Sequence, residues 1–276
     1  MKKKIVSVVG LGYVGLPTAC VIANCKNKKS KNIYTVNGID KNLDDLKNNI
    51  LESKFFSRIL SEDKSLTKSL SQAVTNNKIN FSRNINGIYN SDIVIVSINF
   101  EFNKNKKLSS FNNLRNLFFN IGKIIKKDAL ILIQTTLPPG TCDNIIIPTL
   151  KGALKNRKMK LPDIFLSYSY ERIMPGKEYM SSITDNYRCY SGMNKESLII
   201  CRKFLKSFIN YKKFPLSEFN KIIDCETAKV LENSYRAINI AFIDEWTKFS
   251  NLNSINLNRI INAIKKRKTH SNIMRP

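Results

Sequence analysis

The sequence is poor in the residues that metal sites need. Its 276 residues include a single histidine, His270, and six cysteines, Cys20, Cys25, Cys142, Cys189, Cys201 and Cys225, that form no Cys-x-x-Cys pair. No zinc-ligand spacing is therefore present, and scattered cysteines of this kind read as reduced thiols of a cytosolic protein. Acidic residues are also scarce, 21 against 46 lysines and arginines, for a formal net charge of +25. Such a charge attracts phosphate-rich partners. Yet the lysines are spread with asparagines through nearly every polar stretch and no aromatic residues interleave with a basic stripe, which argues against a nucleic-acid surface. No apolar run approaches the roughly 20 residues of a membrane-spanning helix; those at 92–98 and 129–133 are far shorter. Internal repeats and low-complexity linkers are absent as well. What remains is a globular cytoplasmic protein, of one large domain or two ordinary ones.

The N-terminal stretch MKKKIVSVVGLGYVGLPTACVIA imitates a secretory signal, with a basic start and an apolar middle. Its spaced glycines suit a strand, turn and helix better than a signal helix. Short β-rich apolar runs follow at 33–39, 78–82, 92–98, 129–135, 163–167 and 187–190. Helical patterns fit between them at 15–25, 41–49, 62–74, 111–126, 141–154 and 195–208. This alternation predicts βαβ units and a parallel sheet. After Phe214 the pattern changes. From 218 to about 249 apolar residues recur at helical spacing with no glycine or proline, which predicts a helix of roughly 30 residues, about 45 Å long, that bridges domains or joins subunits. A second amphipathic stretch covers 255–266.

The first strand candidate runs into VVGLGYVGLP, which sets Gly10, Gly12 and Gly15 in G-x-G-x-x-G spacing around Tyr13 and Val14, at the opening of a helix. In a dinucleotide site the first glycine makes the tight turn, the second lets a diphosphate approach the backbone, and the third allows helix and strand to pack closely. The helix N-terminus adds N–H groups and partial positive charge. The next strand, YTVNGID, ends in Asp40, an acid placed to accept hydrogen bonds from ribose hydroxyls and to repel a 2′-phosphate. NAD is thereby favoured over NADP.

Four blocks in order, GLGYVGLP, TTLPPGT at 135–141, YERIMPGK at 170–177 and AKVLENSYRAINIA at 228–241, resemble the UDP-glucose/GDP-mannose dehydrogenase family, the nucleotide-sugar 6-dehydrogenases. SYRAIN and ERIMPG look closest to its UDP-N-acetylhexosamine branch. The resemblance implies an α/β fold: a Rossmann-type doubly wound sheet over 1–210 that binds NAD, then a long helix and part of an α-helical middle domain over 211–276 that pairs subunits. It implies oxidation of a UDP-sugar primary alcohol to a uronate by two hydride transfers, in polysaccharide biosynthesis. It also implies roles for particular residues. Thr136 matches the threonine near the reacting centre and the cofactor. Glu171 matches the glutamate that positions water and handles protons, although SYSYER lacks the proline that commonly precedes it. Lys229 and Asn233, one helical turn apart, match the amine and amide that stabilise an alkoxide and an oxyanion.

The family's nucleophilic cysteine lies in a glycine-rich segment after the long helix. Here THSNIMRP resembles the approach to that segment, so the chain reads as truncated, with KKRK as the cationic end of a helix. The expected partners are a UDP-sugar and either a second copy or a complementing chain that brings the cysteine and the UDP-binding domain. An inactive NAD-binding remnant and the N-terminal half of a split enzyme stay open as alternatives, with a basic nucleic-acid binder more distant.

Overall fold

The structure, a computed structural model, describes residues 3–27, 29–43, 53–100, 107–173 and 178–270. It divides into two compact units, Met1–Glu226 and Thr227–Pro276.

In the first unit the strands are β1 (Lys4–Val9), β2 (Tyr34–Ile39), β3 (Ile79–Ser82), β4 (Ile93–Val96), β5 (Leu130–Ile133), β6 (Phe165–Tyr168), β7 (Arg188–Gly192) and β8 (Leu216–Glu218). Among the described residues they form one sheet in the order β3-β2-β1-β4-β5-β6-β7-β8. The six strands from β3 to β6 are parallel, as the alternating pattern predicts. β4 and β5, IVIV and LILI, are buried at every residue, which a parallel sheet covered on both faces requires. The order reverses between β1 and β4, and ligands of such sheets bind outside the carboxyl ends of the strands at that point.

The helices of this unit are α1 (Gly15–Ala23), α2 (Lys54–Glu62), α3 (Lys64–Thr75), α4 (Lys107–Ile124), α5 (Ile147–Lys155), α6 (Tyr179–Thr184) and α7 (Lys195–Leu205). Every residue of α1 is buried. Val6, Val8, Ile93, Ile95, Leu130 and Leu132 join α1, α3 and α7 in one apolar cluster. The residues alternating with them, Val94, Val96, Ile131 and Ile133, point to the opposite face and are equally buried. α4 and α5 pack so closely that a Cβ on Gly122 would fall 2.6 Å from the Ala153 Cβ.

Several features differ from the sequence reading. The helix expected over 62–74 is α3, which starts after Asp63, an extended residue (φ −137°, ψ 105°) that caps it, whereas α2 before it and α6 were not expected. β7 runs antiparallel to β6. β8, only three residues long, was not expected. Most of the helix expected over 41–49 lies outside the described residues; Lys41 and Asn42 form a turn.

α8 (Ile222–Leu252) has 31 residues, close to the predicted span. Its first turn belongs to the first unit, where Ile222, Cys225 and Glu226 are buried. In the second unit it continues to a short loop and α9 (Leu257–Ile264). Among the described residues no helix is long and apolar enough to cross a membrane.

Candidate functional site

The three glycines of the first turn differ in what surrounds them. Gly10 leaves β1 with φ +90°, and its N–H donates to Ile39 O at 2.8 Å. A Cβ there would fall 2.6 Å from Ser97 O, at the end of β4, and one on Gly15 would fall 1.7 Å from Gly10 O. The protein's own backbone therefore demands glycine at both positions. At Gly12 an added Cβ would meet nothing within 4 Å. Gly12 borders open space where a diphosphate can approach the backbone. No side chain caps α1; Leu16 N donates to Gly12 O and Thr18 N to Val14 O, both at 3.1 Å, so the helix winds on directly from the glycine turn.

Asp40 is tied to this turn. Its Oδ2 accepts from Leu11 N at 2.8 Å and its Oδ1 from Asn42 N at 2.9 Å. Each oxygen keeps lone pairs for a ribose hydroxyl. The Tyr13 ring stacks on Tyr179 at 6.1 Å, and the Arg58 guanidinium sits 5.7 Å from its centroid. Val14 is half-buried at the N-cap of α1.

At the next strand ends Ser97 Oγ donates to Gln134 Oε1 at 3.0 Å, Thr135 Oγ1 to Ile98 O at 3.0 Å, and Tyr168 OH to Thr135 O at 3.0 Å. Thr135 is thus buried as a brace between β4, β5 and β6, while Thr136 beside it is exposed. The following PPGT turn is held by Glu226. This wholly buried carboxylate accepts from Gly140 N at 2.6 Å and Cys142 N at 2.9 Å. Burial pushes its carboxyl above the ordinary range, against the opposing pull of the Cys142 thiol and these two N–H groups. The sequence reading passed over Glu226. Its signal was a carboxylate beside Cys225 on the apolar stripe begun by Ile222, at i, i+3 and i+4. Beyond the turn the chain makes one π-helical turn, Cys142–Ile146, and enters α5.

Glu171 follows β6 and is buried, accepting from Ile173 N. Residues 174–177 of its block lie outside the described residues. The glycine turn, Asp40, Thr136 and Glu171 thus follow the carboxyl ends of β1, β2, β5 and β6, which parallel pairing brings to one edge of the sheet. Lys229 and Asn233 belong to the second unit. They lie one turn apart on α8, Lys229 half-buried and Asn233 exposed.

The six cysteines are free thiols, none of them exposed. Burial pushes Cys25 up to about 11 and Cys201 and Cys225 up to about 12. Cys225, four residues before Lys229, donates to Tyr168 O at 3.8 Å. A thiol in that state is a poor nucleophile. Among the described residues no three histidine, cysteine, aspartate or glutamate side chains cluster as a metal would need.

With this geometry in place, residues 4–208 match the UDP-glucose/GDP-mannose dehydrogenase family, NAD binding domain. The chain belongs to that family. The glycine turn and Asp40 are accordingly parts of a nucleotide-sugar dehydrogenase NAD domain. The chain is 29% identical over 276 residues to a UDP-N-acetyl-D-mannosamine dehydrogenase of Methanococcus aeolicus, covering 98% of this chain and 56% of that protein. It is 28% identical over 265 residues to a UDP-N-acetyl-D-glucosamine 6-dehydrogenase of Pseudomonas aeruginosa, covering 95% and 57%. The chain therefore spans a little over half the length of these relatives. Its fold matches a UDP-N-acetyl-mannosamine dehydrogenase from Staphylococcus aureus with a TM-score of 0.76 at 24% identity, over 99% of this chain and 61% of that one. It also matches a GDP-mannose dehydrogenase from Pseudomonas aeruginosa with a TM-score of 0.73 at 16% identity, over 95% and 56%.

Proposed function

We propose that this dehydrogenase-family chain provides the NAD site and part of the catalytic groups of a 6-dehydrogenase acting on a UDP-N-acetylhexosamine. NAD supplies the hydride acceptor, used twice as the alcohol becomes a carboxylate. Gly12 and the first turn of α1 hold its diphosphate, with Tyr13 and Val14 shaping the turn, and Asp40 takes the adenosine ribose. The exposed Thr136 hydroxyl stands at the mouth of the crevice. Glu171 orients water and takes its proton during hydrolysis. Lys229 and Asn233 stabilise negative charge on the oxygen at carbon 6. The observation that carries this reading is the open space at Gly12 between two glycines that the backbone itself requires, with Asp40 bonded to the same turn.

Calorimetric titration of NAD tests it. A charge-assisted hydrogen bond is worth about 1.5–3 kcal/mol, so Asp40→Ala is expected to weaken NAD roughly tenfold or more. NADP is expected to bind the unaltered chain more weakly than NAD. Equal affinity of a folded Asp40→Ala variant would count against the site. No cysteine of the chain is placed as a nucleophile, so the 276-residue chain assayed alone is expected to form no sugar acid. The partner proposed for the second unit is another copy of the chain, seated on the exposed apolar stripe of α8; a complementing chain is the other possible occupant.

A further inference from the structure

The turn that follows β5, from Thr136 to Cys142, is held at both ends. Just before it Tyr168 OH, on β6, donates to Thr135 O at 3.0 Å, and Leu137 inside it is buried. At its far end the N–H groups of Gly140 and Cys142 converge on one carboxylate, that of Glu226, at 2.6 and 2.9 Å. Gly140 has φ +83°, a left-handed conformation that glycine adopts without strain, and N–H groups set round an anion in this way form a nest. The same carboxylate stands at the opening of the π-helical turn Cys142–Ile146, where Thr141 supplies no side-chain cap. It therefore meets the positive end of a helical segment that runs on into α5.

Glu226 is the last residue of the first unit, and its two bonds span 86 and 84 residues of chain. It is wholly buried, and among the described residues it forms no ion pair. A carboxylate in that state is costly unless hydrogen bonds offset its desolvation. Here both of its oxygens are spent on the turn.

The place of the turn gives this rigidity a use. A dinucleotide lies across the point where strand order reverses, between β1 and β4. Asp40 and the glycine turn belong to the β1–β2 half, so the nicotinamide of a bound NAD falls on the half built from β4 and β5. Thr136, exposed at the start of the braced turn, belongs to that half.

We propose that Glu226 is a positioning residue for the nicotinamide end of the site: by holding Gly140 and Cys142 it fixes the turn that carries Thr136. The proposal rests on the NAD reading above. Glu226 is too deeply buried to touch NAD or sugar, so it acts through the turn.

Titration calorimetry of the full chain with NAD and with ADP-ribose, which lacks the nicotinamide, tests it. Glu226→Gln keeps the shape of the side chain but sets an amide NH2 against N–H donors. It is expected to weaken NAD roughly fivefold or more and to leave ADP-ribose, held by the glycine turn and Asp40, within about twofold. An equal loss for both ligands, as a merely structural role would give, or no loss for either, overturns the proposal. Should Glu226→Gln fail to fold, amide hydrogen exchange of the unaltered chain decides. NAD is then expected to slow exchange of the Gly140 and Cys142 amides, the two that Glu226 accepts, more than ADP-ribose does, and equal slowing overturns the proposal. An unaltered chain that binds neither ligand removes the NAD reading and the proposal with it, whereas failure of the proposal alone leaves both ligands bound to the unaltered chain.

Discussion

At the scale of single residues, the glycine turn separates what the fold needs from what a ligand needs. Gly15→Ala drives a Cβ into Gly10 O and is expected to cost about 1–3 kcal/mol of stability. Gly12→Ala meets no protein atom and is expected to change stability by no more than about 0.5 kcal/mol, yet to weaken NAD several-fold by filling the space where the diphosphate approaches. Thermal melting beside NAD titration reads both outcomes; a Gly12→Ala chain with wild-type affinity would remove the diphosphate from this turn. The spacing of the three glycines was legible in the sequence, as was the acid that ends β2. Which glycine faces open space was not, because that depends on Ser97 at the end of β4, nearly ninety residues away. Charged residues at core positions were the hardest to read. Glu226 and Arg188 looked like two more polar residues in a lysine-rich chain, and only burial distinguishes them.

At the scale of elements, strands that continue the parallel alternation were legible, because their apolar runs sit between helical patterns. Direction was not. β7 is a run like the others, and only its pairing shows that it runs antiparallel to β6. That reversal brings the start of β7 beside the carboxyl end of β6. β8, LSE after Pro215, is too short to show any period. The break between α2 and α3 did leave a signal, since Asp63 precedes Leu66, Leu70 and Ala73 at helical spacing as an N-cap does. Its carboxylate accepts from Ser65 N at 2.7 Å, Ser65 Oγ at 2.6 Å, Leu66 N at 3.2 Å and Tyr179 N at 2.9 Å. Through Tyr179, which stacks on Tyr13, this cap braces the glycine turn. Burial alone would raise the Asp63 carboxyl, but the Ser65 side chain and the three N–H groups outweigh it, holding it below its ordinary 3.8. A carboxyl lowered on folding contributes stability that is present above its ordinary value and is lost as pH falls through the folded one. Asp63→Asn is therefore expected to cost about 1–2 kcal/mol at pH 7, and the gap is expected to narrow below about pH 4. Urea midpoints at pH 7 and in acid measure it, and a gap that stays constant would show that charge plays no part in the cap.

At the scale of the whole molecule, two properties oppose each other: a formal charge of +25 and an apolar stripe on the second unit. Along α8, Leu231, Tyr235, Ile238 and Phe242 follow one another at intervals of four, three and four residues. They are 67%, 67%, 69% and 52% exposed. This is the spacing of a helix seam that packs against another helix, and an exposed apolar patch of that length marks an interface. If the occupant is a second copy, association brings together two strongly positive chains. Added salt then screens their repulsion and leaves apolar burial intact, so the dimer is expected to tighten between roughly 50 and 300 mM salt. A complex held by counterion release from a nucleic acid would weaken over the same range. Light scattering after gel filtration reads the mass. Tyr235→Asp with Ile238→Asp is expected to give a monomer whose NAD affinity is unchanged, since both substitutions lie outside the NAD unit. A wild-type chain that stays monomeric at every salt concentration, with the stripe still exposed, would shift the proposal from a second copy to a different chain as the occupant of α8.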